Sequence, residues 1–318
     1  MLSRVMCALV AGVAAAVAMP LATAAAEDSA ACRTVRFADV GWTDITATTA
    51  LTARVLKGLG YTPTDQVLSV PVTYASLKNG DIDVFLGNWM PTMEADLRPY
   101  LDDGSVEVIE RPNLQGAKYT LAVPQYTFAA GLETFQDIAR FREALDGKIY
   151  GIEPGNDGNR LILDMIEGNQ FDLGGFELVE SSEQGMLAQV ARATTRQQPI
   201  VFLGWEPHPM NASFRMRYLG GGDEVFGPNY GGATVYTNVR AGYLTACPNA
   251  GKFISNLRFT LPMENEVMGA MLNDGKDAAV AAEEWLKKNP RAWEGWLKDV
   301  TTFSGAPGLE AVKKSLGL

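Results

Sequence analysis

The stretch RTVRFADVGWTDITATTALTARVLKGLGY (33–61) decides the fold. Its first part, RTVRFADVG, alternates in the manner of a strand. Its second part places Ile45, Leu51, Val55, Leu56 and Leu59 at helical spacing, with Thr43 or Asp44 able to cap the start and Gly58 or Gly60 to end it. Strand followed by helix is the repeating unit of a parallel sheet covered on both faces. Outward from this stretch the alternation continues. A strand falls near 64–70, a short helix ends at Gly80, and the apolar run Val84-Phe85-Leu86-Gly87 reads as a buried strand leading into Asn88-Trp89-Met90-Pro91. A second series begins near 117, with strands at 118–123, 148–153, 176–180 and 199–204 and helices at 134–145, 158–168 and 184–195. A glycine-rich stretch at 220–232 leads into the strand ATVYTNVR, and from Pro248 the chain reads as helical.

Two such series with a late return strand predict an α/β protein of two lobes. Each lobe is a mostly parallel sheet flanked by helices, and two crossings near 112–118 and 230–235 join them. The expected first lobe comprises residues 27–114 and 232–318, the second 115–231.

Of the 318 residues, 47% are hydrophobic and 20% charged, which is ordinary for a globular chain. The net charge of -10 argues against nucleic acid as a partner, because phosphate binding needs clustered Lys and Arg. Residues 1–26 read as a signal peptide: Arg4 gives a positive start, 5–21 are apolar and Ala/Val-rich, and Ala22-Thr23-Ala24 or Ala24-Ala25-Ala26 offers a small-residue cleavage site. The alternative is a retained membrane anchor, for which the run is short. The mature chain is expected to be exported and not to span a membrane. Cys7 leaves with the leader, and Cys32 and Cys247 remain as an even pair in an oxidising compartment. Both fall in the expected first lobe, so a disulfide between them is predicted. The alternatives are two buried thiols, or a lipid-modified Cys32, against which Ser29-Ala30-Ala31 lacks the usual leucine.

Six tryptophans divide into two groups. Trp285, Trp293 and Trp296 sit in the helical tail and read as core. Trp42, Trp89 and Trp205 each follow closely on an apolar strand, in VRFADVG-W, VFLGN-W and VFLG-W. Ligand crevices in open parallel sheets lie outside the carboxyl ends of strands, so three aromatics there would converge on one place. A quaternary ammonium suits such a cluster, since its charge is attracted to ring faces. Asp44 offers either a fixed negative charge or a helix cap, and the two roles are compatible. Asn156, in Pro154-Gly155-Asn156-Asp157-Gly158, reads as a turn residue or a ligand contact. Tyr119 by itself reads as an ordinary strand aromatic. His208, the single histidine, has no partner cluster for a metal and reads as a residue orienting the loop after Trp205. There is no G-x-S-x-G elbow and no Walker loop, so no catalytic residue is nominated.

The segments GWTDITATTALTARVLKGLGY (41–61), GDIDVFLGNWMPTME (80–94) and FLGWEPHPM (202–210) resemble the substrate-binding proteins of glycine betaine, choline and proline betaine ABC transporters, and most nearly the periplasmic choline-binding members. The likeness runs along the whole mature chain. It implies a type II periplasmic-binding-protein fold, a periplasmic monomer, permease subunits as partners, no cofactor and no enzymatic activity. It also implies an aromatic box of Trp42, Trp89, Tyr119 and Trp205 around a trimethylammonium group, with Asp44 and Asn156 at the polar end. Choline is the expected ligand, because an alcohol can donate to Asp44 where a betaine carboxylate is repelled. Glycine betaine or proline betaine is the alternative within this class. A secreted hydrolase of choline esters or phosphocholine is the alternative outside it. Many betaine-binding relatives carry a further aromatic where Pro209 stands here, so their geometry does not transfer directly.

Overall fold

A computed structural model describes residues 28–318. The expected signal peptide, residues 1–26, lies outside them. Among the described residues no helix is long and apolar enough to cross a membrane.

Ten strands occur among these residues: β1 (Thr34–Asp39), β2 (Thr62–Val67), β3 (Val84–Met90), β4 (Val106–Val108), β5 (Leu114–Pro124), β6 (Lys148–Tyr150), β7 (Glu177–Val179), β8 (Phe202–Glu206), β9 (Met216–Tyr218) and β10 (Gly232–Arg240). They form one hydrogen-bonded path in the order β2-β1-β3-β10-β5-β8-β6-β7, with β4 beside β10 and β9 beside β5. At one end β1 runs parallel to both β2 and β3; at the other β6 runs parallel to both β7 and β8. The long strands β5 and β10 join the two halves. They lie antiparallel, with Lys118 opposite Gly232 and Leu114 opposite Val235. This is the two-lobed α/β architecture of periplasmic binding proteins. The short strands β4 and β9 carry no sequence signal, because three residues are too few to show a period.

Helix α1 (Thr43–Gly58) follows β1. Its apolar side chains Ile45, Leu51, Val55 and Leu56 are buried, and Gly60 reverses the chain at φ +87°. Helices α2 (Val70–Asn79) and α3 (Glu94–Asp102) follow β2 and β3. Helices α4 (Asp157–Glu167) and α5 (Glu183–Thr195) follow β6 and β7. The helix expected at 134–145 is a 3₁₀ helix, Phe135–Phe141, followed by turns. Phe135, Ile138 and Phe141 recur every three residues, so a helix of three residues per turn puts all of them on one face against the core. The C-terminal part consists of α6 (Pro248–Asn256), α7 (Leu261–Leu272), α8 (Ala278–Lys288) and α9 (Gly308–Leu316), interrupted by a bridge between Thr301 and Pro307. Helices α7, α8 and α9 return to pack on α1. Trp285, Trp293 and Trp296 are buried there, and each indole N–H donates, to Glu266 and to the carbonyls of Leu286 and Arg258. The predicted Cys32–Cys247 disulfide is formed, with Cα atoms 5.5 Å apart. It closes a separation of 215 residues and ties the start of β1 to the entrance of α6.

Candidate functional site

Between the lobes lies a small cavity lined by Trp42, Asp44, Trp89, Tyr119, Ile152, Asn156 and Trp205. All six residues expected at the site line it. None is more than 5% exposed. Ile152 also lines it, and nothing in the strand KIYGIE distinguishes this apolar residue from the others.

The sheet explains how these side chains meet. Trp89 is the penultimate residue of β3, Trp205 the penultimate residue of β8, and Trp42 follows β1 as the N-cap residue of α1. Tyr119 on β5 is directly opposite Trp205 on β8. Tyr119 then stands edge-on between two tryptophans, its ring 6.0 Å from Trp89 and 6.3 Å from Trp205. Asn156 caps α4 by accepting from Asn159 N, and the same Oδ1 accepts from the Tyr119 hydroxyl at 2.8 Å. Asn156 is thus both a structural turn residue and a wall of the cavity. The fit is tight: a Cβ on Gly158 would lie 2.1 Å from the Tyr119 hydroxyl oxygen. Trp42 donates its indole N–H to Glu153 at 2.7 Å.

The polar edge of the cavity is incompletely paired. Asp44 Oδ1 and Trp89 Nε1 are buried without a hydrogen-bond partner among the described residues, as is Asp157 Oδ2 behind Asn156. The expectation that Thr43 or Asp44 caps α1 with its own side chain is not met. Among the described residues no side chain of the N-cap residue Trp42 makes that bond, and Asp44 faces the cavity. Burial pushes the Asp44 carboxyl up to about 8, and the negative charge of Glu183 adds to the rise. The backbone N–H groups of Asp44 and Ile45 act the other way, as does the Trp89 indole N–H, which faces the carboxylate without completing a hydrogen bond. Burial likewise raises Glu153 to about 7 and Asp157 to about 6. No positively charged side chain opposes the rise at Asp44 or Glu153, whereas Arg160 does so at Asp157. His208 does not line the cavity. It is buried beneath it, its ring 5.0 Å from Trp205, and its Nδ1 accepts from Met210 N at 3.0 Å.

Two lobes closing on an aromatic cavity define the class of the protein: a solute-binding protein. The sequence pattern of OpuAC, the substrate-binding domain of ABC-type glycine betaine transport systems, matches residues 33–288, and the chain belongs to this family. Among solved structures it is similar to an ABC-transporter choline-binding protein in complex with choline. That protein is 66% identical, with a TM-score of 0.90 over 91% of this chain and 100% of the other. The unliganded, semi-closed form of a choline-binding protein, also 66% identical over the same shares, gives a TM-score of 0.83. Lactococcal OpuAC, closed on glycine betaine, is 25% identical, with a TM-score of 0.74 over 83% of this chain and 98% of its own.

Proposed function

We propose that this protein captures choline between its lobes in the periplasm and delivers it to the permease of an ABC transporter, without chemical turnover. The observation that carries this reading is the pairing of four aromatic rings with an unpartnered buried carboxylate on one closed cavity. Trp42, Trp89, Tyr119 and Trp205 surround the trimethylammonium group, whose charge is attracted to ring faces by about 2 kcal/mol for a desolvated ring. Asp44 supplies the opposite charge and accepts from the choline hydroxyl, and Asn156 bounds the polar end. The better superposition on the choline-bound relative than on the semi-closed one supports a cavity in its ligand-holding shape. Residues 27–114 and 232–318 form the first lobe in this reading and 115–231 the second, with paired β5 and β10 as the hinge.

Glycine betaine is the second reading, favoured by the betaine-bound relative at 25% identity. A betaine carboxylate calls for Arg, Lys or converging N–H donors, whereas among the described residues Asp44 lines this cavity and no Arg or Lys does. Tryptophan fluorescence titrations with choline, glycine betaine and proline betaine decide between them. Choline is expected to bind more tightly than either betaine; equal or tighter betaine binding overturns the choline reading. Choline esters and phosphocholine incubated with the protein are expected to be recovered intact, and product above background would point to a hydrolase.

A further inference from the structure

Helix α1 begins at Thr43, one residue after Trp42 and one before Asp44, so its first turn carries two cavity residues. The first N–H groups of a helix need acceptors from outside it, and a carboxylate serves best because the N-terminus is the positive end of the helix dipole. That acceptor comes from the opposite lobe. Glu183, the first residue of α5, accepts from Thr43 N at 2.8 Å through Oε2 and from the Thr43 hydroxyl through Oε1. Its Oε1 also meets His208 Nε2 at 3.2 Å. Because His208 Nδ1 accepts from Met210 N, the ring proton sits on Nε2 and is donated to Glu183. Glu183, Thr43 and His208 are all buried, and none of them lines the cavity.

We propose that Glu183 is a positioning residue that caps helix α1 from the other lobe, and that this cap forms only when the cleft is closed. It joins both walls of the cage. On one side it fixes the first turn of α1, hence Trp42 and Asp44; on the other it holds His208 and, through the ring contact, Trp205. Closure over a ligand and placement of the cage are then one event rather than two. Glu183 lies far from any motif and shows no sequence signal of this role, because its partner Thr43 is 140 residues away.

This inference rests on the choline reading for its ligand, and its test separates the two. Choline affinity and dissociation rate are measured by calorimetry and stopped flow for wild type, Glu183→Gln, Thr43→Val, Thr43→Ser and the Glu183→Gln/Thr43→Val double variant. Thermal melts of the ligand-free proteins verify folding. The expected result is a loss of about tenfold in affinity for Glu183→Gln and for Thr43→Val, appearing in dissociation rather than association. Thr43→Ser, which keeps the hydroxyl and the N–H, is expected to stay near wild type. The double variant is expected to lose less than the sum of the two single losses, since the Thr43 hydroxyl contact is common to both. Affinity within twofold of wild type for Glu183→Gln, or additive losses in the double variant, overturns the proposal. Failure of the wild type to bind choline removes the ligand reading alone. The interlobe distance by spin labelling of the ligand-free proteins then decides the cap: a smaller closed population in Glu183→Gln supports it, and an unchanged one overturns it.

Discussion

Asp44 and Trp89 present two unpartnered polar atoms to one cavity. An unpaired buried polar group costs about 1–3 kcal/mol, so both are better satisfied once a ligand fills the space. Removing the charge with Asp44→Asn is expected to weaken choline more than glycine betaine, because choline is a net cation whereas the betaine's own carboxylate is repelled by Asp44; calorimetry giving equal losses for the two ligands would remove the basis for that preference. Trp89→Ala or Trp205→Ala takes away one ring of the cage. Each is expected to cost about 2 kcal/mol, roughly thirtyfold in affinity. A loss below tenfold at both positions would mean that the rings are packing and not recognition.

At the scale of elements, the site depends on how closely α4 approaches β5. Gly158, in the first turn of α4, leaves room for the Tyr119 hydroxyl, which is held between Asn156 and its aromatic neighbours Trp89, Trp205 and Phe226. Gly158→Ala is expected to displace the Tyr119 ring and lower choline affinity at least tenfold. A comparison is offered by Gly269, inside α7, where a Cβ would meet only the Asn273 side chain at 3.8 Å. Gly269→Ala is expected to stabilise the protein by about 1 kcal/mol through helix propensity and to leave affinity unchanged. Parallel melts and titrations of the two variants separate a general effect of adding a methyl group from the specific approach of α4 to β5.

For the whole molecule, closure gathers carboxyl groups away from water. Burial raises Asp44 to about 8, Glu153 to about 7 and Asp157 to about 6, and it raises Asp39 and Glu264 as well. A carboxyl whose native value lies above its unfolded value near 4 binds more protons when folded, so its stabilising effect is present below about pH 4 and is lost as pH rises through the native value. The ligand-free protein is therefore expected to lose stability between about pH 5 and pH 8, by at most about 1.4 kcal/mol per pH unit for each such group. Groups pulled the other way, such as Asp83 between Arg36 and Arg240, exert their pH dependence at lower pH. A bound cation holds Asp44 ionised, so saturating choline is expected to flatten the slope, as is Asp44→Asn. Calorimetric melts across that range, with and without choline, check the sign; a ligand-free midpoint that rises with pH would contradict it.

The alternating strand and helix around 33–61, the apolar runs before Trp89 and Trp205 and the pair Cys32 and Cys247 were legible in the chain itself, because periodicity and strand ends are local properties. They were enough for the α/β class, and the expected cage residues do line one cavity. The chain could not show that Glu153 receives the Trp42 N–H, that Glu183 caps α1, that Ile152 closes the wall, or that 135–141 winds as a 3₁₀ helix. Those features depend on which surfaces the two lobes bring face to face, and on burial, which turns an ordinary carboxylate into an unpaired charge. Sequence spacing carries no record of either, so only the tertiary structure decided them.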